Sequence, residues 1–135
     1  RSKLYKDDLM FTYIGTIGEV ALIKENDKYY LAPNVSRIRP DKKKVFPQFL
    51  LQHFNVPHFK NFEIAKFISS SSQPALTMGN VRKFKLRIPS LNEQQKIASC
   101  LSAVDDLITA QVQKIEQLQQ HKKGLMQGLF PKIES

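Results

Sequence analysis

Hydrophobic spacing changes character near Pro89. Before it, apolar residues come in short bursts: Leu9–Ile14 and Glu19–Ile23 read as strands, separated by Gly15-Thr16-Ile17-Gly18, whose glycines permit a tight reversal. Glu25-Asn26-Asp27 reads as a turn. Lys28–Leu31 and Val35–Arg39 read as further strands, the latter closed by Pro40-Asp41. Pro47 suits the first position of a helix running to about Asn55, with Phe49, Leu50, His53 and Phe54 on one face. Glu63–Ser69 reads as one or two further helical turns, and Ser69-Ser70-Ser71-Ser72-Gln73-Pro74 as a loop. From Lys83 the segment Arg82–Ile88 alternates strictly. As a strand it sends Lys83, Lys85 and Arg87 to one face and Phe84, Leu86 and Ile88 to the other.

After Pro89 the pattern is helical. Ser90-Leu91-Asn92-Glu93 is a capping box, and Ser102-Ala103-Val104-Asp105 offers a second one, which predicts a break or bend near Ser102. Apolar residues recur every seven positions in two registers. One is Leu101, Ile108, Ile115, Lys122 and Leu129; the other is Ile97, Val104, Gln111, Leu118 and Leu125. Only Gln111 and Lys122 interrupt this seam, the pattern of a coiled coil with a specified register. From Val104 to Leu129 the helix would extend about 39 Å, too long for its stripe to be covered by a domain of roughly 90 residues. It needs a partner helix. Gly124 and Gly128 weaken the last turns, and Phe130-Pro131 ends them. The predicted class is therefore α+β: a small mixed domain over residues 1–89, followed by a long coiled-coil-forming helix over 90–135.

Charge sharpens this division. The 135 residues carry a formal net charge of +9, with 16 basic and 7 acidic residues before Pro89 and 5 of each after it. The whole excess lies in the first part, which points to a polyanionic partner. Arg37, Arg39, Lys42, Lys43 and Lys44 fall close together, and Lys83, Lys85 and Arg87 would line up about 7 Å apart on a strand, near the phosphate spacing of DNA. Lys42, Lys43, Lys44, Lys83, Lys85 and Arg87 are the candidate phosphate contacts. Thr16, Ser70, Ser71, Ser72 and Gln73 are the candidate base readers, because reading needs polar side chains on loops that reach a groove. A single cysteine, Cys100, excludes a disulfide framework and a cysteine zinc cluster and suits a reducing cytosol. No membrane-span run or signal-peptide apolar region is present, so a cytoplasmic protein is expected.

Catalytic patterns are missing. Pro40-Asp41 with Glu63-Ile64-Ala65-Lys66 approaches a nuclease signature, but the lysine falls one residue late. No glycine-rich strand-to-helix loop for S-adenosylmethionine or a nucleotide is present, nor an Asn-Pro-Pro-Tyr-type segment for amino methylation. Gly15-Thr16-Ile17-Gly18 matches the GxxG of KH domains, but joins strand-like runs rather than helices and reads as a turn. His53, His58 and His121 have no metal-ligand spacing. The expectation is a non-catalytic protein with no metal and no cofactor of its own.

The run Ile88-Pro89-Ser90-Leu91-Asn92-Glu93-Gln94-Gln95-Lys96-Ile97-Ala98 continues through Leu101, Asp105, Ile108, Ile115, Leu118, Lys122-Lys123-Gly124-Leu125-Met126-Gln127 and Leu129-Phe130. It resembles the helical region that closes a recognition half in specificity subunits of type I restriction-modification systems. Upstream, Asp8-Leu9-Met10, Gly15-Thr16-Ile17-Gly18, Asn34 through Arg39-Pro40, and Thr77 with Asn80-Val81 resemble landmarks of that family's target recognition domain, in the same order.

The resemblance implies two recognition domains per subunit, each reading half of a split duplex DNA target, with long helices setting the spacing. It also implies modification subunits that carry the S-adenosylmethionine, and a restriction subunit recruited to the complex. This chain departs in having one recognition domain, without that domain's first strands. The expectation is either the C-terminal portion of a longer subunit or a half-size relative working as a homodimer through its helix. The alternative reading is a protein-interaction scaffold whose basic domain binds nucleic acid non-specifically.

Overall fold

The computed structural model describes residues 2–68 and 75–130. The chain divides into two compact units, one running to Ala98 and the other starting at Ser99. In the first unit, strands β1 (Leu9–Thr12), β2 (Val20–Leu22) and β3 (Val35–Ile38) form one antiparallel sheet in the order β2-β1-β3. Leu9 lies opposite Leu22 and Ile38, and Phe11 opposite Val20 and Ser36. The pleat turns these residues to the core face and leaves Met10, Ala21 and Arg37 on the other. Gly15 (φ +83°) and Gly18 (φ +88°) occupy left-handed positions in the β1–β2 reversal. There the Thr12 hydroxyl donates to the Thr16 carbonyl and accepts from the Glu19 amide.

Helix α1 (Pro47–Asn55) begins with Pro47 in its first turn and buries Phe49, Leu50 and Phe54, with His53 half-buried, as the spacing predicts. With the sheet it forms a core of Leu9, Phe11, Leu50, Phe54, Phe59, Ile64, Leu76 and Val81. Phe84 completes an aromatic cluster, its ring centroid 5.8 Å from those of Phe11, Phe59 and Phe67. Short helix α2 (Met78–Val81) is capped by Thr77, whose hydroxyl accepts the Asn80 amide at 3.1 Å. Four residues are too few for periodicity to reveal.

Four expectations need correction. Arg82–Ile88 joins no sheet: the Lys83 amide bonds the Asn80 carbonyl, the Phe84 amide the Val81 carbonyl and the Lys85 amide the Glu63 carboxylate. The alternation nevertheless operates as far as Leu86, because Phe84 and Leu86 pack against the core while Lys83, Lys85 and Arg87 are exposed; Ile88, expected on the inward face, is 45% exposed. Lys28–Leu31 is not a strand but makes one bridge, Lys3 with Tyr30, since residues 2–4 are its only paired neighbour among the described residues. The helical turns expected from Glu63 start earlier, with a π-helical stretch at Phe59–Ile64 and a 3₁₀ turn at Ala65–Phe67. Phe59 and Ile64 are both buried, and five residues is the spacing a π turn places on one side.

The fourth correction concerns the long helix. Helix α3 (Leu91–Leu129) runs without interruption through Ser102. A serine or aspartate in a helix interior costs only tenths of a kcal/mol, less than the backbone hydrogen bonds a break would forfeit. The helix also passes Gly124 and Gly128 before ending at Leu129. Its first turns belong to the globular unit, where Gln94 and Ala98 are buried. The loop Ser69–Pro74 lies outside the described residues.

One ion pair fixes the N-terminal segment to β3. The Asp8 carboxylate is 2% exposed and takes a bidentate grip from Arg39, at 2.6 Å from Nε and 2.7 Å from Nη2, and the Tyr5 amide at 2.9 Å. Burial pushes its pKa up, but the Arg39 and Tyr5 hydrogen bonds and the charges of Arg39 and Arg37 together hold it below the ordinary aspartate value. This stabilisation is complete above about pH 4–5 and is lost as pH falls through the lowered folded-state pKa. Asp8→Asn should lower stability by about 2–3 kcal/mol at pH 7 and much less near pH 2, measured by urea unfolding at both pH values.

Candidate nucleic-acid interface

The two basic runs, forty residues apart in sequence, meet at one side chain. Gln94, in the second turn of α3, is fully buried. Its Oε1 accepts the Phe46 amide at 2.8 Å, and its Nε2 donates to the carbonyls of Lys44 and Pro89, each at 2.9 Å. The backbone after Lys42-Lys43-Lys44 and the backbone after Lys83–Ile88 are therefore held against the same amide. Ser90 starts the helix that delivers Gln94: its carbonyl accepts the Gln94 amide at 2.9 Å and its hydroxyl the Glu93 amide at 3.4 Å. Sequence reasoning missed Gln94, because one glutamine in a polar run carries no periodic signal.

The two runs differ in how far their charges are already used. Lys42 is paired with Asp7, and Arg39 with Asp8. Lys44 lies 4.0 Å from Asp41, and the Asp41 carboxylate accepts the Lys43 amide to close the turn. Among the described residues, the side chains of Lys83, Lys85 and Arg87 enter no ion pair, and in the Lys42-Lys43-Lys44 run only the Lys43 side chain is likewise outside one. Thr16 is exposed in the β1–β2 reversal, whereas Ser70, Ser71, Ser72 and Gln73 lie outside the described residues.

Glu63 and Lys66, the near-match to a nuclease signature, are 2.6 Å apart in an ion pair. The Lys66 hydrogen bond, then the Lys85 amide, hold the Glu63 carboxyl below the ordinary range. Among the described residues no three His, Cys, Asp or Glu side chains are grouped to hold a metal ion.

Along α3 the seam residues Leu101, Val104, Ile108, Ile115, Leu118, Leu125 and Leu129 are all exposed, from 41% at Leu101 to 71% at Leu129, while Ile97 is half-buried. Leu107, Val112 and Met126 are exposed too and widen the stripe beyond a strict two-position seam. No helix among the described residues is long and apolar enough to cross a membrane.

These features define a class: a small α+β domain with a cationic segment, continued by a long helix with an apolar stripe. The family model for the type I restriction modification DNA specificity domain matches residues 2–120. The chain belongs to this family. It is 34% identical, over 96% of its length, to a Methanocaldococcus jannaschii protein provisionally named the type I restriction enzyme MjaX specificity subunit, covering 32% of that protein. It is 30% identical, over 72% of its length, to the type I restriction enzyme EcoBI specificity subunit of Escherichia coli, covering 20% of it. The HsdS subunit of Thermoanaerobacter tengcongensis shares the fold with a TM-score of 0.70 at 20% identity, over 98% of this chain and 36% of that one. The S subunit of M. genitalium also gives 0.70, at 18% identity, over 96% of this chain and 34% of that one. The chain thus spans a fifth to a third of the length of these curated relatives.

Gln94→Leu would strand three backbone groups of the Lys44–Phe46 and Pro89 segments. It should cost about 3 kcal/mol and lower the melting temperature by roughly 10–25 °C in a thermal scan.

Proposed function

We propose that this chain is a non-catalytic DNA-recognition and spacing module of a type I restriction-modification complex. Its globular unit reads one half-site of a bipartite duplex target, and its helix sets spacing and holds the modification subunits. The observation that carries this reading is the cationic row Lys83, Lys85 and Arg87, turned outward because Phe84 and Leu86 are packed inward, and tethered beside the Lys42–Lys44 turn by Gln94. Such a row positions phosphates without carrying sequence information. Thr16, Ser70, Ser71, Ser72 and Gln73 are the proposed base readers. S-adenosylmethionine belongs, on this reading, to the modification subunits, and cleavage to the recruited restriction subunit. Family membership and the named relatives support this assignment over a non-specific scaffold.

Neutralising Lys83, Lys85 and Arg87 to Gln should flatten the salt dependence of duplex affinity by up to about three units of log–log slope. Neutralising Lys42 should change it by less than one unit, since that lysine already has a carboxylate partner. An unchanged slope in the triple variant would remove those residues from the interface. Preference for one duplex over random duplex at physiological salt separates sequence reading from simple charge attraction.

The exposed stripe of α3 is proposed to pack against a second helix, in the isolated chain that of another copy, with antiparallel pairing placing two basic domains at opposite ends. Ile108→Asp with Ile115→Asp should give monomers in analytical ultracentrifugation while the globular unit keeps its melting transition. Dimers that survive both changes would refute the seam.

A further inference from the structure

Beside Lys85 and Arg87 the globular unit has a cleft of about 250 Å³ that the phosphate-contact reading does not use. Its lining includes Val56, His58 and Phe62 together with Lys66, Lys85 and Arg87. Phe62 is 60% exposed and Val56 42%. The π-helical stretch keeps Phe59 and Ile64 in the core and leaves Phe62 outside it; such turns recur at functional sites. The His58 ring lies near-parallel to Phe62, with centroids 4.6 Å apart and planes at 30°. The two rings stack on each other, and Phe62 keeps much of its remaining surface open to solvent.

The charges sort by availability. Glu63 also lines the cleft, but its carboxylate is held by Lys66 and by the Lys85 amide, so it presents little free negative charge. Among the described residues the Lys85 and Arg87 side chains have no ion-pair partner. Burial lowers the pKa of His53, another residue that lines the cleft. An exposed aromatic ring next to Lys85 and Arg87 matches a ligand with a flat ring at one end and an anion at the other.

We propose that this cleft takes a single unstacked nucleotide, its base stacking on the exposed side of Phe62, which His58 backs, and its phosphate held by Lys85 and Arg87. The proposal rests on the reading of Lys85 and Arg87 as DNA-facing and adds a base site to it. The volume of about 250 Å³ is enough for one base. Bases within a duplex have their faces covered, so Phe62 serves only a nucleotide that has left the stack, at a strand end, a mismatch or a flipped position.

The test compares binding of a five-nucleotide thymidine strand and of a matched duplex to the full chain, by fluorescence anisotropy. Stacking on one aromatic side chain is worth about 1–3 kcal/mol, so Phe62→Ala should weaken single-strand binding about 5- to 150-fold and duplex binding less than about twofold. Phe62→Trp should retain single-strand affinity. Lys85→Gln with Arg87→Gln should weaken both. Phe62 is exposed, and an unchanged melting temperature of the alanine variant checks that the fold is intact. The nucleotide site is overturned if the unmodified chain does not bind the single strand, or if Phe62→Ala leaves single-strand binding unchanged while the double neutralisation reduces it. If the double neutralisation affects neither ligand, the parent reading of these cations fails as well.

Discussion

The buried amide of Gln94 joins three stretches that local forces would leave apart. The Phe46 amide stands at the start of α1, the Lys44 carbonyl ends the lysine turn, and the Pro89 carbonyl precedes α3. A glutamine side chain has two donors and one acceptor oxygen, and the three contacts here use that capacity at 2.8–2.9 Å. A buried amide is tolerated only when so satisfied, which makes the arrangement specific: a leucine could fill the space but could not dictate which backbone groups converge. The first turns of the long helix are thereby part of the globular core, and the cationic segment ends at a fixed point.

From that anchor the surface follows. Phe84 sits among Phe11, Phe54, Phe59 and Phe67 and cannot turn outward without leaving the aromatic cluster. With Phe84 and Leu86 held inward, the intervening lysines and Arg87 are left in solvent. A sheet ladder is unnecessary for this, because packing supplies the alternation and the Glu63 carboxylate supplies the Lys85 amide's partner. The lysine turn is different: Asp7 pairs with Lys42, Asp41 lies 4.0 Å from Lys44 and Asp8 holds Arg39, so that among the described residues only the Lys43 side chain of the turn enters no ion pair. Two runs of similar composition thus have unequal reach toward a polyanion.

The helix beyond Ala98 obeys another rule. Its stripe is exposed over about thirty residues, and the hydrophobic effect makes so long an apolar surface costly in water unless another surface covers it. Continuity through Ser102, Gly124 and Gly128 keeps the stripe on one side of a single helix. The globular unit is built around a filled core and the helix around an unfilled one. That contrast is the physical basis for assigning recognition to one and assembly to the other.

Local pattern alone determined α1, the start of α3, the three short strands and the exposed seam, because each depends on residues within a few positions of one another. Period-two alternation also placed Phe84 and Leu86 inward and the cations outward, though it suggested a ladder that the fold does not make. The tertiary structure decided what depends on distant residues. Asp7 and Asp8 neutralise cations more than thirty positions away. Glu63 diverts the Lys85 amide from strand pairing, and Phe62 is exposed by a π turn whose reason is the burial of Phe59 and Ile64. Gln94 shows the division most plainly. Nothing in its neighbourhood along the chain distinguishes it from Gln95, yet one is buried at the junction of three segments and the other faces water. Periodicity reports which side of an element is apolar; which polar group is desolvated is settled only when separate elements close on it.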